Sequence, residues 1–541
     1  MTDRLEVRRN PFRRLPAPVP FLAVAFWIAS GAGAAVFTVT NLTDAGSGSL
    51  RQAVLDANAA AGADDVFFTA GLSGTITLTS GEIAISDPLI VHGPGNLVLT
   101  VSGNDQSRIF YIEKPSVSTP IDVTLSGLTL THGQGVPEHS SLGLVGGAVL
   151  SNGENLTIVD STISNSRAGV AEDPPSFTCG GNVALLNPAE VSGVTLRVVT
   201  SWVTGGTSIA TTGASGGNLC VVNAKLLVEQ SAVSGGSAAN GGGIVGLTLA
   251  TGSKIVLSAI FGNQAQTTGA GVATGSLGAP SDLTIESSTI SGNSLSPGGL
   301  GGGIGASQSQ IQILGSTISG NQGGDTGGGL GSDGTSHVTL TNCTISRNQA
   351  RLGGGIFFQG SDPGSLILRL TTVSDNTAGL RGGSLLVASS DASVVQLDHS
   401  IVANGLPQDL DGPGTPFVGT LTANYSLIEA PGTVSVAGAH NLIGTDPLLG
   451  PLASNGGPTQ THRPLSGSPV IDAGDPMIPS PPATDQRGEA RIVGPAIDLG
   501  SVEEGRALVE VPTLSAVGSL LLCGLLLAAA VLRMRFRTIE R

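Results

Sequence analysis

The feature that most constrains the fold of this chain is a short phrase that recurs along its 541 residues with nearly constant spacing. The phrase reads STISGN in its clearest form, and weaker copies have their apolar centres at Ile163, Val203 and Val233. The six best centres are spaced 30, 28, 27, 28 and 28 residues apart: Ile260, Ile290, Ile318, Ile345, Val373 and Ile401. A period of this length predicts an array of stacked structural repeats.

Two further elements share the same period. A glycine-rich phrase ends in an apolar residue between successive centres, at Val149, Val183, Leu219, Ile244, Val272, Ile304, Leu330, Ile356 and Leu385. A short apolar alternation, such as Leu283 and Ile285, precedes each centre and is typical of a strand. Three short strands per unit, joined by glycine turns, predict an all-β fold: a right-handed parallel β-helix, or solenoid.

Composition excludes the competing architectures. The 81 glycines show no three-residue period, which excludes collagen, and 40% hydrophobic residues are enough to bury a core, which excludes a conventional disordered chain. Stacked helical repeats are excluded because Gly and Ser fill every unit and no helical apolar stripe appears. A propeller blade needs four antiparallel strands and a longer period.

Asparagine recurs three residues after each of the six best centres. This offset predicts a ladder in which each side-chain amide donates to the next coil, and its members are Asn263, Asn293, Asn321, Asn348, Asn376 and Asn404. The alternative is a turn position that merely tolerates asparagine. The ladder is the interpretation that the constant offset favours.

The two ends of the chain carry targeting patterns. Residues 1–35 contain a basic stretch, an apolar run and small residues, which predicts a secretory signal peptide; the alternative is an uncleaved anchor helix. Residues 515–532 are free of charge and are followed by four arginines, which predicts one transmembrane helix with the body outside the cytoplasm; the alternative is a buried core helix. The chain is therefore predicted to be exported and membrane-anchored.

These patterns divide the chain into five parts. They are a signal peptide (1–35), an N-terminal cap with the first coils (36–120), the β-helix repeats (121–400), a distinct C-terminal region (401–505) and a sorting signal with its transmembrane helix and arginine-rich tail (506–541). The net charge is −15 over the whole chain, and both ends are basic. The body is therefore acidic and has no basic stripe, so nucleic acid is not expected as a partner.

The cysteines and histidines give no metal or cofactor signature. Cys179 and Cys220 flank neighbouring glycine turns, and the sequence leaves open whether they form a disulfide; Cys343 and Cys523 are the other two. No CxxC pair, HExxH motif or comparable ligand spacing occurs. No metal and no cofactor are predicted.

The start of the body carries a cap motif. Leu50, Val54, Leu55 and Asn58 have helical spacing, and the helix that they predict would cover the open end of a stack. The phrase GSLRQA at 48–53 resembles the CSLREA-like N-terminal cap of exported bacterial β-helix proteins, with Gly for Cys and Gln for Glu.

The C-terminal side carries two further resemblances. The stretches NLIGTDPLLGPLASNGGPTQTHRPLSGSPVIDAGDP from Asn441 and TDQRGEARIVGPAIDLGSVE from Thr484 are similar to the choice-of-anchor Q domain, a family without an assigned activity. A short motif before the apolar run resembles the IPTL-type sorting signal, and it consists of Val511, Pro512, Thr513, Leu514 and Ser515. That resemblance implies an exosortase-type processing enzyme as a partner.

The charged and nucleophilic residues of the sequence do not form a pattern that predicts catalysis. The densest charges of the repeat region are interpreted as solvated turn residues: Asp325, Asp333, Asp362, Asp375, Arg351, Arg369 and Arg381. The sequence Asp398-His399-Ser400 suggests a triad, but consecutive strand residues point to alternate faces. No catalytic residue is predicted.

Three functions remain as hypotheses. The leading one is an exported, non-catalytic surface β-helix that serves adhesion or binds glycans or matrix. The second is a polysaccharide lyase or glycoside hydrolase that acts on acidic glycans. The third is a purely structural envelope protein.

Overall fold

The computed structural model describes residues 33–114, 119–135, 144–169, 177–188, 190–210, 213–360, 364–388, 393–412 and 420–504. Most of the predicted signal peptide, the sorting motif at 511–515 and the apolar run at 515–532 lie outside these residues. Within the described residues no helix is long and apolar enough to cross a membrane.

The chain forms a parallel β-solenoid, which confirms the all-β stacked architecture. Every strand pair given below is parallel, and in the described part sheet A has 15 strands, sheet B has 14 and sheet C has 12. The strands of sheet A are Val36–Val39, Asp64–Phe68, Leu89–His92, Asp122–Ser126, Asn155–Val159, Thr195–Val199, Lys225–Glu229, Lys254–Val256, Ser281–Glu286, Ser309–Leu314, His337–Thr341, Ser365–Arg369, Val394–Asp398, Thr420–Asn424 and Val436–Ala437.

Sheets B and C complete each coil. The strands of sheet B are Gly74–Thr77, Leu99–Ser102, Thr129–Thr131, Thr162–Ser164, Trp202–Thr204, Ala232–Ser234, Ala259–Phe261, Thr289–Ser291, Thr317–Ser319, Thr344–Ser346, Thr372–Ser374, Ile401–Ala403, Leu427–Ile428 and Leu442–Ile443. The strands of sheet C are Ile83–Ile85, Phe110–Ile112, Val149–Asn152, Val183–Leu186, Leu219–Val222, Ile244–Leu247, Val272–Gly275, Ile304–Ser307, Leu330–Gly334, Ile356–Gly360, Leu385–Val387 and Leu410–Asp411.

Short strands between sheets B and C form two smaller parallel sheets. The larger contains Leu144–Val145, Arg167–Ala168, Phe177–Cys179, Thr207–Ser208, Gly213–Ser215, Ser237–Asn240, Gln264–Thr268 and Ser294–Leu295, and the smaller contains Gln349–Leu352 and Thr377–Arg381. The register of the long sheets follows the repeat, because Ile290 pairs with Ile318 and Ile318 pairs with Ile345. Residues one period apart are therefore neighbours in successive coils.

The core is a continuous apolar column inside the coils. Because side chains alternate across a strand, Leu283 and Ile285 of sheet A point inward and are fully buried, as is the central Ile290 of sheet B. Ile304, at the end of a glycine phrase, joins them from sheet C. The three sequence elements of the repeat are thus the three walls of one core.

The glycine phrase is required by close packing at the start of each sheet C strand. Gly301 has φ +77°, which favours glycine, and a Cβ on it would lie 2.0 Å from the Ile304 carbonyl oxygen. A Cβ on Gly303 would lie 2.5 Å from the Gly329 carbonyl oxygen and 3.0 Å from Asn321 Nδ2. A larger residue at Gly303 would therefore displace both the neighbouring coil and an asparagine side chain.

The helix Leu50–Ala59 lies at the N-terminal end of the solenoid. Ser49 caps it, since its Oγ accepts a hydrogen bond from Gln52 N at 3.1 Å. The helix buries Leu50, Ala53, Val54 and Ala57. Leu55 is 51% exposed and lies outside the buried face, which follows the i, i+3, i+4 and i+7 positions that start at Leu50.

After Leu442–Ile443 the chain leaves the solenoid. Residues 445–504, here called the C-terminal segment, contain turns and isolated bridges and pack back over sheet B. Val470 and Leu499 of this segment pack against Ile401 and Leu427 of sheet B. One face of the later coils is therefore covered.

Candidate functional site

Buried asparagines of successive coils form a row of hydrogen bonds beside sheet B. Nδ2 of each donates to Oδ1 of the next: 2.9 Å from Asn263 to Asn293, 2.9 Å from Asn293 to Asn321, 3.0 Å from Asn321 to Asn348 and 3.0 Å from Asn348 to Asn376. Asn182 and Asn218 extend the row upstream. These side chains stabilise the stack, because each satisfies buried polar groups in two coils.

Asn404 is not part of this row, and the expectation that it is has to be corrected. Val373 pairs with Val402, not with Ile401, so the last coil is shifted by one residue. Asn404 consequently lies at the turn position of Asp375, with φ 55°, and its Nδ2 donates to Ser374 Oγ at 3.1 Å. The row position falls on Gly405, whose N–H donates to Asp409.

A second row, of serines, was missed by the sequence analysis. Ser258 Oγ accepts from Ser231 N at 3.1 Å, and Ser288 Oγ accepts from Ser258 N at 3.1 Å. The signal was present, since serine stands two residues before most of the apolar centres. Cys343 occupies the same position, and burial raises the pKa of its thiol to about 12, so this cysteine is a packing residue and not a nucleophile.

Cys179 and Cys220 form a disulfide, with their Cα atoms 5.6 Å apart. The bridge joins two adjacent coils, because the sheet C strand that follows Cys179 pairs with the strand that contains Cys220. Cys343 is free and buried. Cys523 lies outside the described residues.

The charged residues of the repeat region do not converge on one site, and Asp333 Oδ1 is buried without a hydrogen-bond partner among the described residues. Arg351 pairs with Asp325 at 3.1 Å, Arg369 pairs with Asp398 at 3.4 Å, and Arg381 donates to the Gly412 carbonyl at 3.2 Å. Asp362 lies outside the described residues, and Asp375 Oδ2 lies 3.9 Å from His462 Nε2. Among the residues that the structure places, no group of three His, Cys, Asp or Glu side chains is arranged to hold a metal ion.

The Asp398-His399-Ser400 sequence does not assemble a triad. His399 has φ 50°, which turns its ring back so that Nδ1 lies 2.8 Å from Asp398 Oδ1. Its Nε2 accepts a hydrogen bond from Asp475 N at 3.0 Å. Ser400 Oγ donates to the Leu368 carbonyl at 3.1 Å, so the hydroxyl and the imidazole are not connected.

The candidate site is an open groove on sheet B, here called the sheet B groove. Its floor runs from the strand Thr162–Ser164 to the strand Thr289–Ser291, and it encloses about 620 Å³. Asn96 and Leu97 close one end, and Pro458 of the C-terminal segment closes the other. Among the described residues that line it, none is charged.

The floor combines hydroxyl groups with the aromatic side chain of Trp202. In the regular repeat the outward positions of a sheet B strand are Thr and Ser, but Trp202 and Phe261 replace them in two coils. Trp202 is 51% exposed and lines the groove, whereas Phe261 is 37% exposed and lies outside the lining. Trp202 Nε1 donates to Ser234 Oγ at 3.1 Å, and Ser234 Oγ donates to Thr204 Oγ1 at 3.0 Å. The indole is thus held in place while much of its surface stays open.

Beyond the groove, the C-terminal segment hydrogen-bonds to the same outward positions of sheet B. Gln486 is buried and bonds to two successive coils: its Oε1 accepts from Thr344 Oγ1 at 2.6 Å, and its Nε2 donates to Thr317 Oγ1 at 3.0 Å. Ser501 N donates to Thr372 Oγ1 at 3.0 Å, and His462 Nε2 lies 2.8 Å from Ser346 Oγ. The segment therefore ends the groove by covering its continuation.

Buried charges hold the C-terminal segment together. Asp485 accepts from the backbone N–H of Arg487 and of Glu503, at 2.8 and 3.0 Å. Glu503 accepts from Val493 N and Asp498 N, at 2.9 and 3.0 Å. Arg491 is 1% exposed, and burial lowers the pKa of its guanidinium to about 10. The motif that begins at Thr484 therefore supplies hydrogen bonds that connect different parts of the C-terminal segment.

The shifted pKa values of Glu503 and Asp498 make the stability of the fold depend on pH. Burial raises the pKa of Glu503 to about 7, from an ordinary 4.5, and that of Asp498 to about 6, from 3.8. Each acid binds its proton more tightly in the folded chain than in the unfolded chain. Stability therefore falls as pH rises from about 4 to about 7. We expect a lower melting temperature at pH 8 than at pH 5 in thermal unfolding, and a smaller difference in a Glu503→Gln variant. Greater stability at pH 8 would contradict this assignment.

A second opening of about 790 Å³ lies at the turns between sheets C and A. Its lining includes Glu190, Lys225 and Leu277. The lining residues within the described chain include no aromatic side chain. It offers no counterpart to Trp202 of the sheet B groove.

Comparison with known proteins bears on the fold alone. Residues 205–398 match the family model described as right handed beta helix region. No curated protein matches the chain. The matched stretch covers the downstream part of the groove floor and most of the asparagine row, and with the parallel coils it shows a right-handed β-helix protein.

Proposed function

We propose that this protein binds a neutral glycan in the sheet B groove and does so without cleaving it. The observation that carries the proposal is an uncharged groove that combines the exposed indole of Trp202 with the hydroxyl residues Thr162, Thr200, Ser287 and Thr289, none of which is buried. An aromatic ring offers a flat apolar face to the C–H face of a sugar. Hydroxyl groups both donate and accept, and so match sugar hydroxyls.

The charge distribution favours binding over catalysis and a neutral ligand over an acidic one. Glycoside hydrolysis ordinarily uses two carboxyl groups about 5 to 9.5 Å apart. The described lining of the groove offers no such pair. A polyanionic glycan would also meet a protein of net charge −15. A lyase or hydrolase acting on acidic glycans is therefore the less supported alternative, and a purely structural envelope role leaves the exposed Trp202 unexplained.

The place of action is part of the proposal. The patterns at the two ends of the chain support export, attachment to the membrane through residues 515–532 and processing by an exosortase-type enzyme at the motif that begins with Val511. The choice-of-anchor Q and CSLREA resemblances support a surface protein of the bacterial envelope. In this arrangement the groove faces extracellular or cell-surface glycans.

Trp202→Ala is the variant that tests the binding site. Losing a partly exposed aromatic contact of about 2 kcal/mol weakens glycan binding roughly 30-fold. The measurement is calorimetric titration with the tightest neutral glycan from an array, with Leu277→Ala, an exposed apolar residue of the other opening, as the control. Release of new reducing ends or unsaturated products by the wild-type protein would contradict a non-catalytic role, and unchanged affinity of Trp202→Ala would contradict the site.

A further inference from the structure

The sheet B groove is built from the same positions of successive coils. Each coil contributes a turn residue, the serine of the buried row or the first outward residue of the sheet B strand, and in one coil these are Thr200, Ser201 and Trp202. The next coils contribute Gln230, Ser231 and Ala232, then Leu257, Ser258 and Ala259, then Ser287 and Thr289. Because corresponding residues are paired from coil to coil, the groove runs parallel to the axis of the solenoid.

The chain itself covers the column of first outward residues on both sides of this stretch. Upstream, Thr129 Oγ1 donates to the Asn96 carbonyl oxygen, and Asn96 Nδ2 lies 3.5 Å from Thr162 Oγ1. Downstream, Thr317 Oγ1 donates to the Gln460 carbonyl oxygen at 2.6 Å. Four successive coils lie between these contacts, a length of about 19 Å at about 4.8 Å a coil.

The floor of these four coils departs from the repeat. Ala232 and Ala259 are half-buried outward residues in a column that has threonine in other coils. Those threonines are Thr75, Thr100, Thr129, Thr162, Thr289, Thr317, Thr344 and Thr372. The indole of Trp202 reaches into the coil of Ala232, since its Nε1 donates to Ser234 Oγ at 3.1 Å. An apolar floor therefore continues from Trp202 to Ala259, and alanine makes it deeper than threonine would.

We propose that the groove is a slot of fixed length for a linear, neutral oligosaccharide of about four units, an inference that rests on the proposed function. A unit of an extended β-1,4-linked chain is about as long as one coil is high, about 4.8 Å, so about four units fill the open coils. One sugar face lies on the indole of Trp202. The following units pass over Ala232 and Ala259 to Thr289. Further units would meet the residues that cover the column at either end.

The first test varies the length of the ligand. Oligomers of β-1,4-linked glucose with two to eight units are titrated into the full chain by calorimetry. We expect affinity to rise at least about fivefold with each unit from two to four, about 1 kcal/mol per unit. From four to eight units it should stay within about threefold. The α-1,4-linked glucose tetramer, whose chain is coiled, should bind at least about tenfold more weakly than the β-1,4-linked tetramer.

The second test fills the slot. Ala259→Thr restores the residue that the column has in other coils, so the variant is expected to fold, and circular dichroism verifies this. It should weaken binding of the β-1,4-linked glucose tetramer at least about tenfold, because the added side chain occupies the floor. The matched control is Ala84→Thr, which makes the same change at an exposed position of a sheet C strand and should leave affinity unchanged.

The other outcomes separate this inference from the proposed function. Affinity that keeps rising beyond four units overturns the slot, because the ligand then extends past its covered ends. Unchanged affinity of Ala259→Thr overturns the role of the floor. If the β-1,4-linked glucose series does not bind but another neutral glycan from an array does, and Trp202→Ala loses it, the slot is wrong and glycan binding stands. Binding of no glycan by the folded protein overturns the proposed function itself.

Discussion

Replacing Asn321 by alanine is expected to lower the free energy of unfolding by about 3 kcal/mol, because buried polar groups lose their partners at about 1 to 3 kcal/mol each. Asn321 Oδ1 accepts from Asn293 N and Nδ2, at 3.0 and 2.9 Å, and Asn321 Nδ2 donates to the Ile290 carbonyl at 2.9 Å. All of these contacts are buried. Water cannot replace them unless the coils separate.

The measurement is urea unfolding of Asn321→Ala, with hydrogen exchange of the neighbouring coils to detect local opening. The matched control is Asn404→Gly, which removes an asparagine one residue away from the row and places glycine at φ 55°. We expect the control to stay within about 0.5 kcal/mol of the wild type. Equal losses in the two variants would show that the row does not hold the coils together.

Gln486→Ala is expected to loosen the contact between the C-terminal segment and sheet B. The side chain donates to the Ser316 carbonyl, Thr317 Oγ1 and Thr459 Oγ1 and accepts from Thr344 Oγ1, at 3.2, 3.0, 3.0 and 2.6 Å. Its removal leaves a buried cavity and takes one hydrogen bond from each of these four groups, which costs about 3 kcal/mol in total. Because the segment has little regular secondary structure, we expect this loss to open it locally.

Limited proteolysis checks this expectation, since cleavage within 445–504 reports release of the segment. Gln460→Ala is the control in the same segment, because the Gln460 side chain is exposed and only its carbonyl accepts from Thr317 Oγ1 at 2.6 Å. We expect faster cleavage of Gln486→Ala alone. If both variants resist cleavage as the wild type does, Gln486 does not hold the segment.

The coils could be predicted from the sequence because residues that stack in successive coils are one repeat apart, as Ile290, Ile318 and Ile345 are. Five of the six predicted ladder asparagines lie in the row, and the error at Asn404 arose from choosing Ile401 instead of Val402 as the centre. Both are apolar, so hydropathy does not distinguish them. Ser400 identifies Val402 as the centre, because it stands two residues before Val402, as Ser288 stands two residues before Ile290.

The groove was not predictable in the same way. Part of its floor is visible in the sequence as Trp202, which interrupts the column of threonines, but its ends depend on how distant segments fold back. Gln486 and Thr344 are 142 residues apart. The C-terminal segment lacks the repeat, so no periodicity indicates which face it covers. Hydrogen bonds between side chains of such separation become known only from the structure.

The most direct test of glycan binding in the sheet B groove is a crystal structure of the protein with the neutral oligosaccharide that binds it best. We expect sugar density on the indole of Trp202, between Leu97 and Pro458, with the glycan intact. Density on sheet A or in the opening beside Lys225, with the sheet B surface bare, would show that the groove is not the binding site.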